Sequence, residues 1–482
     1  MPVDCSSNRV PSGIPGLDEV IGGGFPRGGL FIVAGSPGTG KTIFSATFLY
    51  SGATQFGERG IYVSFAEGRD DFYRNMRGLG MDFEKLEKAG DFKFLDMITV
   101  REEAIPTILE TILSELGGLG ARRLVVDSFS ALVQAIRERH DVRIMLHTLL
   151  NKITKSLGCT AILTVEIPYG EEKIGLGIEE FVADGIFMLR RSGLEGGRII
   201  RDLEIFKMRG TPTPETNILF TLGNGFKAFP PFRAKPVEKP RRFNPIPDTE
   251  EYFSTGSMSL DEMLGGGYPR GSTVLVEIAD EHISMRQYHL VVVPTIWNFI
   301  TRGRGVIITP SRGPDHNIVR MRAEEGGISK EEIMGLLRVC VEDYPGLRPE
   351  PYVVVFKGEN LREDHEKYLE IERELVEKTG QPVFCIVGLD TLIDIYGLRD
   401  TLSITRASAT TVREKRGLLM LILKPGYPRL AKLIGALADI HLKVTRKYGV
   451  VLVYGMKPRT GPHILEMDTS MGYPMPELTP IM

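Results

Sequence analysis

Residues 30–42 read LFIVAGSPGTGKT, and this stretch decides the fold of the chain. The first part, LFIVAG, is apolar throughout, as expected of a central strand buried on both faces of a parallel sheet. The second part, GSPGTGKT, matches the pattern G-x-x-x-x-G-K-T between a strand and a helix. Glycines at these positions let backbone N–H groups turn inward around a polyphosphate at the positive end of the helix. The stretch therefore predicts a strand, a phosphate-binding loop and a helix.

The loop also supplies side chains that suit ATP with Mg²⁺. Lys41 can reach the β- and γ-phosphates, and the Thr42 hydroxyl can ligate Mg²⁺. The alternative is a plain glycine-rich turn, which an eight-residue match between a strand and a helix disfavours. The predicted nucleotide-binding residues are Gly35, Ser36, Pro37, Gly38, Thr39, Gly40, Lys41 and Thr42.

Two carboxylates follow other apolar strands. Asp127 ends the run Leu124–Val126, where a carboxylate can hold the Mg²⁺ shell from the far side, although a strand-terminal Asp can also cap a helix. Glu67 follows the run 60–65, at the sheet edge where ligands bind in such folds, and a solvated surface Glu is the alternative. We expect Asp127 to be a metal ligand with Thr42, and Glu67 to orient the attacking water.

The chain contains the same unit twice. Residues 13–29 (GIPGLDEVIGGGFPRGG) and 256–272 (GSMSLDEMLGGGYPRGS) are identical at 10 of 17 positions without a gap. Between them, six prolines from Pro230 to Pro247 are typical of a semi-rigid linker. The sequence thus predicts a first domain at 1–232, a linker at 233–248 and a second domain at 249–482.

Each copy alternates short apolar runs with helical patterns, as a parallel sheet covered by helices requires. We therefore predict an α/β fold of two tandem domains, each a mostly parallel sheet flanked by helices. The predicted strands are 30–35, 60–65, 123–128 and 160–165, then 272–278, 305–310, 384–389 and 418–423. The predicted helices of the first copy are 41–55, 102–118 and 138–157.

Composition excludes several classes of protein. The 482 residues carry 59 Lys+Arg against 62 Asp+Glu, a net charge of −3, which disfavours a chain-wide nucleic-acid-binding field. The four cysteines lie far apart, and Cys159 and Cys385 sit in or beside apolar runs, which favours buried thiols over metal ligands. No apolar stretch approaches ~20 residues and the N-terminus lacks the core of a signal peptide, so we expect a cytoplasmic protein without membrane insertion.

Together, GLDEVIGGGFPRGG, GSPGTGKT, YVSFAEG, LVVDS, TVE and IEEFVADGIFMLR…RDLEIFKMRGT resemble the KaiC-type branch of RecA-like ATPases. The resemblance covers the first copy and, more thinly, the second. It implies a homo-oligomeric ring, a hexamer, with ATP between neighbouring subunits. It also implies that four residues of the KMRGT segment face the next subunit's nucleotide. Arg209 would then be a catalytic residue, in addition to Lys41 and Glu67. The four residues are Lys207, Met208, Arg209 and Thr211.

The chain departs from the family in ways that bear on activity. The KaiC pattern has two consecutive glutamates after the second strand, and here the pair reads Ala66–Glu67. Either Glu67 serves alone or turnover is slow. At the positions that match the family's phosphorylated Ser and Thr, this chain has Gly435 and Ala436, which offer no hydroxyl, so a clock autokinase is disfavoured.

The second copy has lost the nucleotide motifs. Gly35, Gly40, Lys41 and Thr42 correspond to Ile278, Ile283, Ser284 and Met285, and the segment from Glu277 to Met285 contains no glycine. Gly388 stands at the position of Asp127, with Asp390 two residues away, and Arg312 stands approximately at that of Glu67. Residues 456–460 (MKPRT) resemble a remnant of KMRGT. We therefore expect a degenerate pseudo-ATPase domain.

Three functions remain open at this point. The first is a Mg²⁺-dependent ATPase ring whose ATP state regulates an unidentified protein partner; a looser resemblance to the archaeal regulator GvpD agrees with it. The second is an ATP-sensing scaffold with negligible turnover, which Ala66 favours. The third is a recombinase-like DNA-binding ATPase, disfavoured because the segment Ile167–Ile178 carries two Glu and one Lys rather than a basic lining.

Overall fold

A computed structural model describes residues 8–98, 105–134, 149–169, 182–343 and 345–482. The chain divides into two compact units. The first comprises Met1–Pro231 with Tyr448–Val450 and Ile481–Met482, and the second comprises Phe232–Lys447 and Val451–Pro480. Residues 230–251, which include the predicted linker, are all described and form neither helix nor strand.

The first unit alternates strands and helices along the chain. In order, its elements are β1 (Arg9–Val10), α1 (Leu17–Val20), β2 (Phe25–Pro26), β3 (Leu30–Gly35), α2 (Lys41–Phe56), β4 (Gly60–Ser64), α3 (Arg69–Gly78), α4 (Phe83–Ala89), β5 (Phe92–Asp96), α5 (Ile105–Leu119), β6 (Arg123–Asp127), α6 (Phe129–Gln134), α7 (Leu149–Ser156, a π-helix), β7 (Thr160–Glu166), β8 (Gly185–Leu194), β9 (Arg198–Met208), β10 (Asn217–Thr221) and β11 (Lys227–Phe229). Residues 102–104 and 138–148 of the predicted helices lie outside the described residues.

The main sheet of the first unit has the order β11-β10-β9-β8-β3-β7-β6-β4-β5. From β8 to β5 neighbouring strands are parallel, whereas β8 to β11 pair antiparallel. Every residue of β3, β4 and β6 is buried, as the uniformly apolar runs predict for central strands with covered faces. One face packs on a core that includes Phe44 and Phe48 of α2, and the other on a core that includes Ile112 of α5.

The second unit repeats this plan. Its elements are β12 (Tyr252–Phe253), α8 (Met258–Leu264), β13 (Tyr268–Pro269), β14 (Ser272–Ile278), α9 (Met285–Thr301), β15 (Val306–Thr309), α10 (His316–Glu325), α11 (Lys330–Leu336), β16 (Leu337–Glu342), β17 (Val353–Phe356), α12 (Leu361–Thr379), β18 (Phe384–Gly388), α13 (Leu389–Lys415), β19 (Leu418–Leu423), α14 (Pro428–Leu437), β20 (Ile440–Lys447), β21 (Val450–Lys457), β22 (His463–Asp468) and β23 (Met475–Pro480).

Its main sheet has the order β17-β16-β15-β18-β19-β14-β20-β21-β22-β23. The strand that follows the repeated signature, β14, lies between two parallel neighbours, just as β3 does in the first unit. The predicted tandem α/β fold is therefore confirmed. The described cysteines Cys159, Cys340 and Cys385 are buried free thiols. In the described part of the chain, every helix is too short or too polar to cross a membrane.

Candidate functional site

The phosphate-binding loop connects the buried strand β3 to α2. Gly38 has φ of 76° and Gly40 has φ of 108°, a left-handed region that side-chain-bearing residues rarely adopt, so the loop conformation needs glycine at both positions. Among the described residues, no side chain caps the first turn of α2. Its leading backbone N–H groups therefore remain available to an anion, which suits the phosphates of ATP.

Lys41 lies across this loop. Its Nζ donates to the carbonyl oxygen of Gly35 at 2.9 Å and to that of Ser36 at 3.2 Å. Burial lowers the pKa of Lys41 below its ordinary value of 10.5, and the negative charges of Glu166 and Asp127 act in the opposite direction. A buried ammonium that, among the described residues, is hydrogen-bonded to carbonyl oxygens is well placed to gain from an incoming phosphate.

Asp127 is held by hydroxyl groups on both carboxylate oxygens. Thr42 Oγ1 donates to Asp127 Oδ2 at 2.8 Å, and the Tyr62 hydroxyl donates to the same oxygen. Thr164 Oγ1 donates to Asp127 Oδ1 at 2.5 Å. Thr42 and Asp127, 85 positions apart in the chain, thus meet beside Lys41, and their oxygens are the ligand type that Mg²⁺ prefers.

Glu67 lies at the same edge, three residues beyond Ser64, which pairs in register with Asp127. The Glu67 side chain is half-buried, and its Oε1 accepts a hydrogen bond of 2.6 Å from Asn75. Burial raises the pKa of Glu67 above its ordinary value of 4.5, while the Asn75 hydrogen bond lowers it. The Glu67 carboxylate is thus close enough to Asp127 for the two charges to interact, and burial and the Asn75 hydrogen bond shift its pKa in opposite directions.

Two charged residues at this site escaped sequence reasoning. Glu166 ends β7 opposite Gly35, and its charge acts on Lys41. Arg201 of β9 donates to the carbonyl oxygens of Gly38 and Thr39 at 3.2 and 3.4 Å. The motif TVE quoted above contains Glu166, but only the strand order brings it beside the loop. Arg201 carries no local pattern that could have indicated its position.

The KMRGT segment lies at the opposite edge of the sheet. Gly35 pairs with Leu189 of β8, whereas Met208 pairs with Gly185, four residues earlier on that strand. At ~3.3 Å per residue, this offset corresponds to roughly 13 Å along the sheet. Arg209 is half exposed, and its Nη1 lies 3.3 Å from Asp184 Oδ1. Lys207 is half-buried, Met208 is buried, and Thr211 Oγ1 accepts from Arg9 at 2.7 Å. The structure does not bring these residues to the phosphate loop of their own chain.

The segment Ile167–Ile178 is described only through Tyr169, whose hydroxyl donates to the carbonyl oxygen of Pro37 at 3.0 Å. Residues 170–178, including the charges weighed above, lie outside the described residues.

The equivalent edge of the second unit is built differently. Ser284, at the position of Lys41, forms a capping box with Gln287 at the start of α9. The backbone N–H of Ser284 donates to Gln287 Oε1 at 2.7 Å. This helix end is therefore satisfied by its own side chains rather than being left open to an anion.

The charges at that edge also change sign. Because β14 pairs with β19 as β3 pairs with β7, Lys424 takes the place of Glu166. Arg312 follows β15 as Glu67 follows β4, and its guanidinium contacts both carboxylate oxygens of Asp394. Lys424 Nζ donates to the carbonyl oxygen of Arg312 at 2.5 Å. Cations thus stand at the positions of Glu67 and Glu166 of the first unit.

A parallel sheet with a phosphate loop after its central strand, and a hydroxyl–carboxylate pair beside the loop lysine, defines a RecA-like P-loop ATPase. The family model for the KaiC ATPase matches residues 10–227, and the model for GvpD basic region 2 matches residues 242–335. The chain belongs to the KaiC-like ATPase family. Both predicted resemblances are confirmed.

Several known proteins are similar to this chain. The circadian clock oscillator protein KaiC of Thermostichus vulcanus is 33% identical over 276 residues, covering 55% of this chain and 51% of its own length. A UPF0273 protein of Methanocaldococcus jannaschii is 34% identical over 219 residues, covering 42% of this chain and 88% of its own. A solved KaiC-like protein from Pyrococcus horikoshii is 38% identical, with a TM-score of 0.42, covering 46% of this chain and 99% of its own. The chain spans about half the length of the clock relative.

Proposed function

We propose that the first unit binds and hydrolyses ATP with Mg²⁺, and that the ATP state of a ring assembly regulates a protein partner through a second unit that serves as scaffold. The observation that carries this proposal is the meeting of Lys41, Thr42 and Asp127, with Thr42 Oγ1 2.8 Å from Asp127 Oδ2. Thr42 and Asp127 would hold Mg²⁺, which would neutralise charge on the transferring phosphoryl group. Lys41 and the loop amides would hold the phosphates.

The position of Arg209 supports an assembly with ATP between subunits. The KMRGT segment and the phosphate loop lie at opposite edges of one sheet. A role for Arg209 at a phosphate therefore requires a second copy of the chain. A head-to-tail contact of this kind closes into a ring when its rotation allows, and a hexamer is the stoichiometry we propose from the family resemblance.

A second candidate is an ATP sensor with negligible turnover. The hydrogen bond from Asn75 occupies one oxygen of Glu67, and the adjacent position is Ala66. A carboxylate that already accepts a hydrogen bond from a side chain of the same protein is a poorer acceptor for a water proton. Steady-state hydrolysis, measured with and without DNA, separates ATPase, sensor and DNA-dependent motor. Purification from the native host with and without ATP tests for the partner.

We expect each chain to bind one ATP, because the loop of the first unit is intact and the equivalent segment of the second is capped. Lys41→Ala removes a charge-assisted phosphate contact worth ~1.5–3 kcal/mol, so ATP affinity should fall at least about tenfold. Titration calorimetry measures both the number of ATP molecules bound per chain and the affinity. Ser284→Ala at the equivalent position is the matched control and should leave affinity and stoichiometry unchanged. Two ATP per chain would contradict the proposal.

Hydrolysis should have an acidic limb above pH 4.5, because burial raises the pKa of Glu67 above that value. If Glu67 acts as a base it must be deprotonated, so kcat/KM falls as the pH falls through its pKa. Asn75→Ala removes a hydrogen bond that lowers this pKa, and the limb should therefore move to higher pH. Gln55→Ala, on an exposed part of α2, is the control. An unmoved limb in Asn75→Ala would assign the titration to another group.

A further inference from the structure

A cavity of about 100 Å³ lies inside the second unit, between the sheet and the helices α12 and α13. Its floor includes Cys340 of β16, Cys385 of β18 and Leu419 of β19. A water molecule needs roughly 10–15 Å³ of such space, so the cavity has room for several waters or one small organic molecule. It belongs to the unit in which the phosphate loop has been replaced.

A break in α13 produces this space. Gly397, with φ of 80° and ψ of 166°, interrupts the helix. Ile395 and Tyr396 before the break, and Ile404 and Ser408 after it, all line the cavity. Only glycine adopts this backbone conformation readily, so the sequence builds a kink that keeps the two halves of the helix from closing over the sheet.

The charged groups around the cavity already have partners or face solvent. Asp364 accepts hydrogen bonds from the Tyr396 hydroxyl at 2.8 Å and from the backbone of Gly358 at 3.0 Å. Glu372 Oε2 lies 2.8 Å from Lys415 Nζ. Glu342 is exposed at the rim. A charged ligand would lose its hydration here without gaining an opposite charge, which disfavours ions as occupants.

Burial also favours the neutral forms of one histidine and two cysteines in the cavity. It lowers the pKa of His365 below 6.5 and raises the pKa values of Cys340 and Cys385 to about 12. The two thiols are therefore not nucleophiles at neutral pH, and a ligand would be held without a covalent bond.

One polar group in the cavity has only a weak partner among the described residues, the thiol of Cys385. The Tyr368 hydroxyl is buried and, among the described residues, has no hydrogen-bond partner of standard geometry. Its neighbours are the thiols of Cys340 and Cys385, which are weak hydrogen-bonding groups. A buried hydroxyl is ordinarily held by a stronger acceptor or donor than a thiol, so this one marks the place where a ligand's polar group would sit.

We propose that this cavity binds a neutral, mainly apolar small molecule, about the size of a substituted benzene ring, whose one polar group hydrogen-bonds to Tyr368. The other walls are largely apolar, including Leu369, Val387, Leu392 and Leu421. Waters need two to four polar partners each, which such walls do not supply to a cluster of them. The proposal is independent of the ATPase activity proposed above.

Three methyl-substituted benzenes test this inference on the full chain by titration calorimetry and ligand-observed NMR. We expect p-cresol to bind, toluene to bind more weakly, and 4-methylbenzoate, of similar shape but charged, to bind at least tenfold more weakly than p-cresol. Ser408→Leu fills the cavity and should abolish binding of both neutral probes. Ser403→Leu, on the exposed face of the same helix, is the matched control and should leave binding unchanged.

Tyr368→Phe keeps the ring and removes only the hydroxyl, so it does not depend on how Ser408→Leu packs. It should weaken p-cresol about fivefold and leave toluene unchanged. Failure of both neutral probes to bind the parent chain would overturn the proposal. Equal binding of the probes by Ser408→Leu and Ser403→Leu would overturn the assigned location. An equal loss of affinity for p-cresol and toluene in Tyr368→Phe would overturn the assigned hydrogen bond.

Discussion

Mixing two inactive variants, Lys41→Ala and Arg209→Ala, should restore ATP hydrolysis. A guanidinium supplied by a neighbouring chain contributes on the order of 10³–10⁵ in rate, because charge builds on the transferring phosphoryl group. In a ring of Lys41→Ala chains every interface lacks the loop lysine, and in a ring of Arg209→Ala chains every interface lacks the arginine. In random rings of equal parts, about one interface in four combines the intact loop of one chain with the intact arginine of another. Steady-state hydrolysis should therefore recover to about a quarter of the parent rate, provided that subunits exchange.

The control is Arg77→Ala, which removes an exposed arginine that pairs with Glu84. It should be active alone and should not rescue Arg209→Ala beyond its own contribution. No recovery at any mixing ratio would place Arg209 outside the neighbour's site. A chain that is monomeric by light scattering with ATP and Mg²⁺, yet fully active, would refute the ring.

Glu67→Gln should lower the turnover of ATP by ~10²–10⁴ while leaving ATP affinity nearly unchanged. The substitution keeps the shape of the side chain and its contact with Asn75 but removes its basicity. Single-turnover hydrolysis and calorimetry measure the two quantities. Glu166→Gln is the variant to compare with it, because the negative charge of Glu166 raises the pKa of Lys41. It should change ATP affinity more than turnover.

The opposite pattern would reassign the roles. If Glu166→Gln abolishes turnover and Glu67→Gln retains it, the carboxylate that orients water is the one that ends β7. If neither variant loses turnover beyond twofold, neither carboxylate is the base.

Sequence patterns predicted much of the fold because the deciding signals are local. Apolar runs buried on both faces mark the strands, and the repeated signature locates the start of each sheet. The observed strands Leu30–Gly35 and Leu418–Leu423 agree with the predicted limits to the residue. The loop residues likewise follow from one contiguous motif, and the meeting of Thr42 with Asp127 follows from the order of parallel strands.

Contacts between distant segments could not be predicted in the same way. The position of Arg201 against the loop depends on the pairing of β9 with β8, and the Asn75 contact with Glu67 depends on how α3 packs. The cavity arises at Gly397, yet a single glycine within a helical pattern does not announce a break. These features depend on tertiary packing, which a single sequence without an alignment does not reveal.

The capping box at the start of α9 bears on how the second unit could change over evolutionary time. Restoring lysine at position 284 alone would remove the Ser284 cap, at a cost of ~1 kcal/mol, without supplying the glycines that a phosphate loop requires. The first step back towards a nucleotide site would thus lower stability and bring no binding for selection to favour. The loss of the nucleotide site is therefore not readily reversed by single substitutions. The second unit, no longer under selection for nucleotide binding, can then acquire other ligands, while the first unit remains under selection for its nucleotide chemistry.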